Sequence, residues 1–301
     1  MKKSAIREQS IMSIIEIQLM KQLTPQKIAQ YKQDGYAVFQ EIYDEDSINE
    51  VKNRMREIVE TIDVNKERDI AVFSADDATQ QQRDEYFLNS AWQKDALDND
   101  GNLIVPKQEA FNKVGHNMHD LDPVFEKLSY SKVSRTLLFK LMEFKQPLIN
   151  SRIGGEVDAH KDNSFLLTTP LTCQGIWLGL DSASKDNGCL WGVPGSHREK
   201  PFNYLRQAIN EKTGGKTTHM VPKVPEKQYS IEGAVPLETS AGAIVVLHGN
   251  FLHFSHKNTS NIQRHAYTLH IVEGSPEIKY DEDNWIQRPA DMPFKRVEND
   301  L

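Results

Sequence analysis

His160-Lys161-Asp162, answered far downstream by His253 and Arg264, are the residues whose types and spacing could do chemistry. Side chains alternate along a β-strand, so a His and an Asp two apart share one face, whereas on a helix they diverge. Two imidazoles and one carboxylate on one side of a metal, with the remaining positions open, form the ligand set of non-heme Fe(II) oxygenases. The plainer alternative for the pair alone is a strand-edge His and Asp that are solvated or hydrogen-bonded. His197-Arg198-Glu199, the only His-x-Glu, follows Pro194-Gly195-Ser196 directly and reads as a turn.

A third ligand must come from another strand. Gly249-Asn250 reads as a turn that starts a strand from Phe251 to His256. His253 and Ser255 share one face of it, and Leu252, Phe254 and His256 share the other. Parity therefore selects His253, leaving His248 at the turn and His256 pointing away. In the next alternation Arg264 shares its face with Ala266, Thr268 and His270. An inward arginine needs an anion. A ligand carboxylate held by two parallel hydrogen bonds would serve, with the Ser255 hydroxyl assisting, as would one of the chain's own acidic residues.

The elements that must position these groups fall into two parts. Thr24-Pro25 reads as a helix cap with Pro at the first position, and Gly35 ends that helix. Tyr36-Ala37-Val38-Phe39 reads as a strand, and Asp44 to Ile62 has helical apolar spacing. Asp63 to Lys107 is polar with weak periodicity, which predicts loops that could form a mobile cover. From Leu148 onward, short alternating strands are separated by turn signals at Gly154-Gly155, Asn187-Gly188, Pro194-Gly195 and Gly249-Asn250. The expected fold is mainly β with flanking helices: a double-stranded β-helix, jelly-roll or cupin-like, preceded by N-terminal helices. Residues 1–22 are expected to be a disordered leader before a single domain over 23–301. That domain divides into a helical lead-in over about 23–147, a jelly-roll core over about 148–275 and a terminal segment over 276–301, with Trp285 packed back on the barrel.

Composition excludes several classes. A net charge of −7 gives no basic field for a polyanion, so nucleic acid is not expected as a partner. No apolar run approaches the about 20 residues that span a bilayer, no signal peptide is apparent and Asn299-Asp300-Leu301 is not a peroxisomal address. A cytoplasmic protein acting on a small molecule is the expectation, with oligomeric state open. Cys173 and Cys189, both beside apolar residues, read as buried thiols.

Gly154-Gly155-Glu156-Val157 before His160-Lys161-Asp162, then Asn187-Gly188-Cys189-Leu190-Trp191 with Pro194-Gly195-Ser196-His197, then His253-Phe254-Ser255 and Arg264, resemble the phytanoyl-CoA dioxygenase family. The resemblance runs from about Leu23 to Phe294. It implies Fe(II) held by His160, Asp162 and His253, with 2-oxoglutarate as cosubstrate, O2 as oxidant and ascorbate as reductant. Arg264 stands eleven residues after His253, the interval this family uses for the far carboxylate of 2-oxoglutarate. By the same resemblance Ser255 assists that carboxylate, Trp177 lines the cosubstrate pocket and Lys113 contacts 2-oxoglutarate. From the residues alone, Lys113 is a surface lysine and Trp177 a core aromatic.

The implied reaction converts 2-oxoglutarate to succinate and CO2 and hydroxylates a substrate C–H bond. Asp162 favours hydroxylation, because related halogenases replace this carboxylate by a small residue. Two stretches are shorter than the family pattern, one after Ser90 and one before Gly154, shortenings that would remove part of the pocket wall and could remove a barrel strand. They motivate a second reading, a metal- or 2-oxoglutarate-binding protein with little turnover. A cupin-like isomerase is a third, but it gives Arg264 no ligand. No basic cluster for CoA phosphates is visible, so the substrate stays open.

Overall fold

Tyr36 to Phe39 and Ile244 to His248 alternate between two different apolar surroundings, and this alternation organises the molecule. The computed structural model describes residues 14–61, 91–92, 103–115, 117–153, 157–209, 216–222, 228–288, 290 and 292–299. Most of the stretch expected to be loop cover, the segment leading up to Ser90 and the Gly154-Gly155-Glu156 turn lie outside them.

The helices of the lead-in are α1 (residues 14–22), α2 (Pro25–Asp34) and α3 (Glu45–Thr61). The strands, in chain order, are β1 (Tyr36–Phe39), β2 (Ala91–Trp92), β3 (Phe111–Gly115), β4 (Pro147–Ile153), β5 (Val157–His160), β6 (Thr168–Thr169), β7 (Gln174–Gly179), β8 (Leu190–Gly192), β9 (Tyr204–Ile209), β10 (Lys216–Val221), β11 (Val235–Leu237), β12 (Ile244–His248), β13 (His253–Ser255), β14 (Ala266–Glu273) and β15 (Lys279–Tyr280). The large sheet runs β1-β12-β7-β14-β4-β3-β2 and the small sheet β11-β8-β13-β5, while β9 pairs with β10 and β15 with β6. Four central strands of the large sheet thus face the four of the small sheet, all antiparallel, as a double-stranded β-helix requires. The shortening before Gly154 removes no barrel strand: β4 is present and paired with β14 along its length.

Each face of the large sheet has its own core. Ala37, Phe39, Ile176, Leu178, Ile244, Val246, Leu269 and Ile271 pack outward against the helices. Trp177, Val245, Leu247 and Ala266 pack inward with Leu190 and Leu237 of the small sheet. A strand buried on both faces is apolar throughout, which is why Ile244-Val245-Val246-Leu247 shows no polar alternation.

The lead-in follows its sequence signals closely. Thr24 accepts a hydrogen bond from the Lys27 N–H at 3.2 Å, a cap worth about 1 kcal/mol, and Gly35 closes α2 in the left-handed region at φ 86°. The expected leader, however, is partly built into the fold. Residues 14–22 are helical, and Ile15 and Leu19 are buried in the same core as Phe39 and Leu138. At the other end Asn284, fully buried, exchanges two 2.8 Å hydrogen bonds with the Leu167 backbone, and Trp285 is buried beside it. Among the described residues no helix is long and apolar enough to cross a membrane.

Asp181, just past β7, joins α3 to the start of β14. It accepts the His265 backbone N–H at 2.9 Å, the His265 Nδ1–H at 2.8 Å and the Lys52 ammonium. Burial alone would raise its carboxyl, but hydrogen bonds from His265 and Lys52 outweigh that and hold it well below the usual carboxylate range. A depressed folded pKa contributes stability that is present above the unfolded value, about 3.9, and lost as pH falls through the folded one. We therefore expect Asp181→Asn to lower stability by about 1–3 kcal/mol near neutrality. The gap from wild type should narrow below about pH 4. Thermal unfolding followed from pH 7 to pH 3 measures it, and parallel curves for the two proteins would refute the assignment.

Candidate metal and cosubstrate site

His160 closes β5, and Asp162 opens a 3-10 turn over Asp162–Ser164 with Lys161 extended between them. The pair therefore straddles the strand end instead of lying within a strand. Extended backbone at Lys161 still turns both neighbours to the same side and sends the lysine to the other. Lys161, 2 % exposed, donates from Nζ to the carbonyls of Ser196 at 2.9 Å and Glu199 at 2.7 Å. It lies 5.6 Å from the Tyr229 ring.

Register brings in the third group. In the small sheet His253 stands directly opposite His160, and their rings lie 4.2 Å apart. His160, Asp162 and His253 offer ligand atoms all within 4.8 Å of one another, the one such cluster of three among the described residues. Each imidazole is oriented by its own strand: His160 Nδ1–H donates to Asp158 O at 2.7 Å and His253 Nδ1–H to Phe251 O at 3.0 Å. With Nδ1 so engaged, Nε2 of each ring, facing Asp162, is the atom left to bind a metal. Burial, with His160 close by, lowers His253 to about 4 despite Asp162, which keeps the ring neutral. Burial alone would raise Asp162, yet His270, His253 and a hydrogen bond from His160 hold it well below the usual range. A neutral His253 and an ionised Asp162 are in the protonation states that binding a divalent metal needs. Asp162 Oδ2 is buried with no hydrogen-bond partner, a costly arrangement for a carboxylate that a cation would relieve.

Asn163 fixes the turn. Its N–H donates to Gly249 O at 2.8 Å, its side-chain amide to Asn250 Oδ1 at 2.8 Å, and its Oδ1 accepts the Cys173 N–H at 3.1 Å. The turn carrying Asp162 is thereby bonded to the turn preceding His253. Sequence reasoning missed Asn163, whose polar side chain is 1 % exposed and signals its role only through long-range partners.

The remaining sequence-predicted residues separate. Trp177 and Arg264 line the cavity that contains the triad, with Val157, Leu190, Leu247 and Thr268 among its other walls. Arg264 Nε is buried without a partner, burial disfavours its charge, and among the described residues no carboxylate pairs with it. Ser255 is buried on β13, and its Oγ accepts the Val157 N–H at 3.1 Å. Lys113 lies on β3, next to β4 in the large sheet, and its side chain is outside the described residues. His197, His248 and His256 stand apart from the triad: His248 Nδ1 accepts the Asn250 N–H at 3.1 Å, His197 reaches Lys32 O at 3.2 Å, and His256 packs on Trp191. His270, noted in the sequence only for sharing Arg264's face, places Nε2 3.3 Å from Asp162 Oδ1.

Comparison with solved structures defines the class by fold. The carbocyclase SnoK of nogalamycin biosynthesis, described as non-heme and alpha-ketoglutarate dependent, superposes with a TM-score of 0.60 at 14% identity, covering 91% of this chain and 97% of SnoK. EctD from S. alaskensis gives 0.58 at 16% identity over 90% of this chain and 84% of its own, and has been crystallised with bound Fe and with 2-oxoglutarate and 5-hydroxyectoine. The family follows from sequence: the model described as Phytanoyl-CoA dioxygenase (PhyH) matches residues 31–266, and the chain belongs to that family. A phytanoyl-CoA dioxygenase domain-containing protein 1 homolog from Dictyostelium discoideum is 38% identical over 91% of this chain and 99% of its own. The Caenorhabditis elegans homolog of the same name is 34% identical over 90% of this chain and 98% of its own, and an Arabidopsis thaliana phytanoyl-CoA dioxygenase is 35% identical over 90% and 95%.

Gly175 supplies a test of the site's tightness. A Cβ there would stand 3.1 Å from Asp162 Oδ2 and 3.6 Å from the Leu247 Cβ. Gly175→Ala should push the carboxylate out of place and weaken divalent-metal binding by about 10-fold, the lower end of the range for disturbing groups around a metal. Co(II) titration measures this, and an unchanged Kd would show that Asp162 is not held against β7.

Proposed function

We propose that this chain is an Fe(II)- and 2-oxoglutarate-dependent dioxygenase that hydroxylates a C–H bond of a small or acyl-type substrate, converting 2-oxoglutarate to succinate and CO2. The observation that carries this reading is one cavity holding both the His160, Asp162, His253 cluster and an arginine that no carboxylate pairs with among the described residues. A metal alone leaves Arg264 unexplained, whereas a dicarboxylic 2-oxo acid addresses both ends. Its near carboxylate and ketone suit the metal's open positions and its far carboxylate suits the guanidinium.

In this reading His160, Asp162 and His253 hold Fe(II), which together with 2-oxoglutarate and O2 supplies the oxidising power when bound, ascorbate keeping it reduced. The chain's own residues bind and orient. Arg264 grips the cosubstrate carboxylate through parallel N–H bonds, Ser255 and Lys113 add polar contacts, and Trp177 forms an apolar wall that excludes water. Membership of the PhyH family and the 2-oxoglutarate crystallised with EctD support the choice of cosubstrate.

Succinate formation from 2-oxoglutarate with Fe(II) and ascorbate tests the proposal. His160→Ala should abolish turnover, and Arg264→Ala should raise the KM for 2-oxoglutarate by about 10–100-fold, the equivalent of about 1.5–3 kcal/mol for a charged hydrogen-bonded contact. Equal turnover in all three proteins would overturn it. Tight 2-oxoglutarate binding without succinate would instead assign the chain as a binding protein. An extract incubated with the iron-loaded enzyme and searched for a product heavier by one oxygen identifies the substrate.

A further inference from the structure

Three imidazoles, not two, face the Asp162 carboxylate. His270 lies on β14, six residues beyond Arg264 on the same face, and its Nε2 is 3.3 Å from Asp162 Oδ1, against 3.5 Å for His160 and 3.8 Å for His253. Its approach differs from theirs. His160 and His253 belong to the small sheet, whereas β14 belongs to the large one, so His270 reaches Asp162 from the opposite wall of the barrel. It lines the cavity but stands outside the cluster whose ligand atoms lie within 4.8 Å of one another.

The hydrogen-bond inventory around Asp162 shows what a third imidazole can do there. His160 and His253 commit their Nδ1–H groups to the carbonyls of Asp158 and Phe251, so as neutral ligands they offer Asp162 lone pairs and no proton. Asp162 Oδ2 has no donor among the described residues, and Gly175 stands close on that side. The terminal torsion of an aspartate is soft and roughly two-fold, so nothing on the small sheet decides which oxygen turns to a metal or at what angle. Among the described residues, the imidazole that reaches Asp162 from the large sheet, and so can bring an N–H, is His270.

We propose that His270 is a positioning residue of the metal centre: its Nε2–H donates to Asp162 and fixes the carboxylate in the orientation that presents one oxygen to the metal. This rests on the metal site proposed above and extends it. One stretch of chain then serves both parts of the chemistry, Arg264 two residues before β14 aligning the cosubstrate and His270 within β14 aligning the metal ligand.

Co(II), added alone to the full-length apoprotein, is the probe. It reports affinity by titration and ligand geometry by its visible d–d spectrum. His270→Phe keeps a ring without the donor, His270→Leu guards against a misfit of that ring, and His270→Gln restores an N–H close to the Nε2 position. His160→Ala tests the underlying site, and apoprotein melting temperatures are followed for every variant. We expect His270→Phe and His270→Leu to weaken Co(II) binding by about 10-fold or more and to change the spectrum. His270→Gln should recover most of the affinity and the wild-type spectrum, with all three apoproteins melting within a few degrees of wild type. Wild-type affinity and spectrum in the Phe or Leu variant, or a Gln variant as weak as Phe, would overturn the proposal. If His160→Ala binds Co(II) as wild type does, the metal site itself is wrong and the role of His270 falls with it. If His160→Ala loses binding while the His270 variants keep it, the site stands and only this inference fails.

Discussion

The pairing of β13 with β5, which sets His253 opposite His160, is the constraint on which the site depends. In an antiparallel sheet a slip of one residue would turn His253 to the other face and replace it with Leu252 or Phe254. Three features pin the register. β13 is held on its other side by β8, with His253 opposite Gly192 and Ser255 opposite Leu190. The Ser255 hydroxyl accepts the Val157 N–H across the irregularity in the β5 pairing. Asn163 then bonds the turn after β5 to the turn before β13, so the two ends of the triad cannot separate without breaking buried hydrogen bonds. Each anchor is short in sequence reach on one side and long on the other, which couples the site to closure of the whole barrel.

Within that barrel the distribution of charge runs against stability. Asp162 is buried and Arg264 half-buried, and each has a buried polar atom without a partner among the described residues. Groups of this kind cost several kcal/mol and persist where the surrounding packing outweighs them. Here the large sheet supplies that packing, since its outer face is sealed by α1 to α3 and the helices that follow, and its inner face is filled by Trp177, Val245 and Leu247 around the cavity. The apolar walls raise the cost of an unpaired charge and by the same physics strengthen its attraction for a ligand of opposite sign.

What the sequence disclosed was local and periodic. Thr24, Pro25 and Gly35 announce a helix with its two ends, and each lies where its chemistry predicts. Parity on the strand after Arg264 separates Tyr267, Leu269 and Ile271, which pack toward the helices, from Ala266, Thr268 and His270, which face the barrel interior. What it did not disclose depends on partners distant along the chain. The apolar run of residues 14–22 is interrupted by Glu16, so their helix declares itself through Ile15 and Leu19 reaching a core assembled from the rest of the domain. Asn163 is an ordinary turn residue until Gly249, Asn250 and Cys173 arrive beside it. His270 stood on the correct face by parity, but that rule says nothing of which wall lies across the cavity, and the wall across from it bears Asp162. Lys161, expected to alternate away from the site, does so into a buried pocket of carbonyls.

Arg264 and His265 show how the fold prepares a charge it does not itself neutralise. Adjacent residues at the entry to β14 project to opposite sides, and only one of them is satisfied by protein. His265 is fastened through both its backbone N–H and its ring to Asp181, which also holds Lys52 of α3. That anchor fixes the backbone one residue away from Arg264, whose Nε is buried without a partner among the described residues. An arginine tethered by its own salt bridge would be aligned but occupied, and any ligand would have to displace the partner. Separating the anchor from the binding group leaves the arginine both aligned and unpaired. The ordering of its backbone is then met during folding and not at the moment of binding. The acid-labile element of that arrangement is Asp181, outside the cavity, while the groups that would meet a ligand keep their charge states through burial and mutual contact.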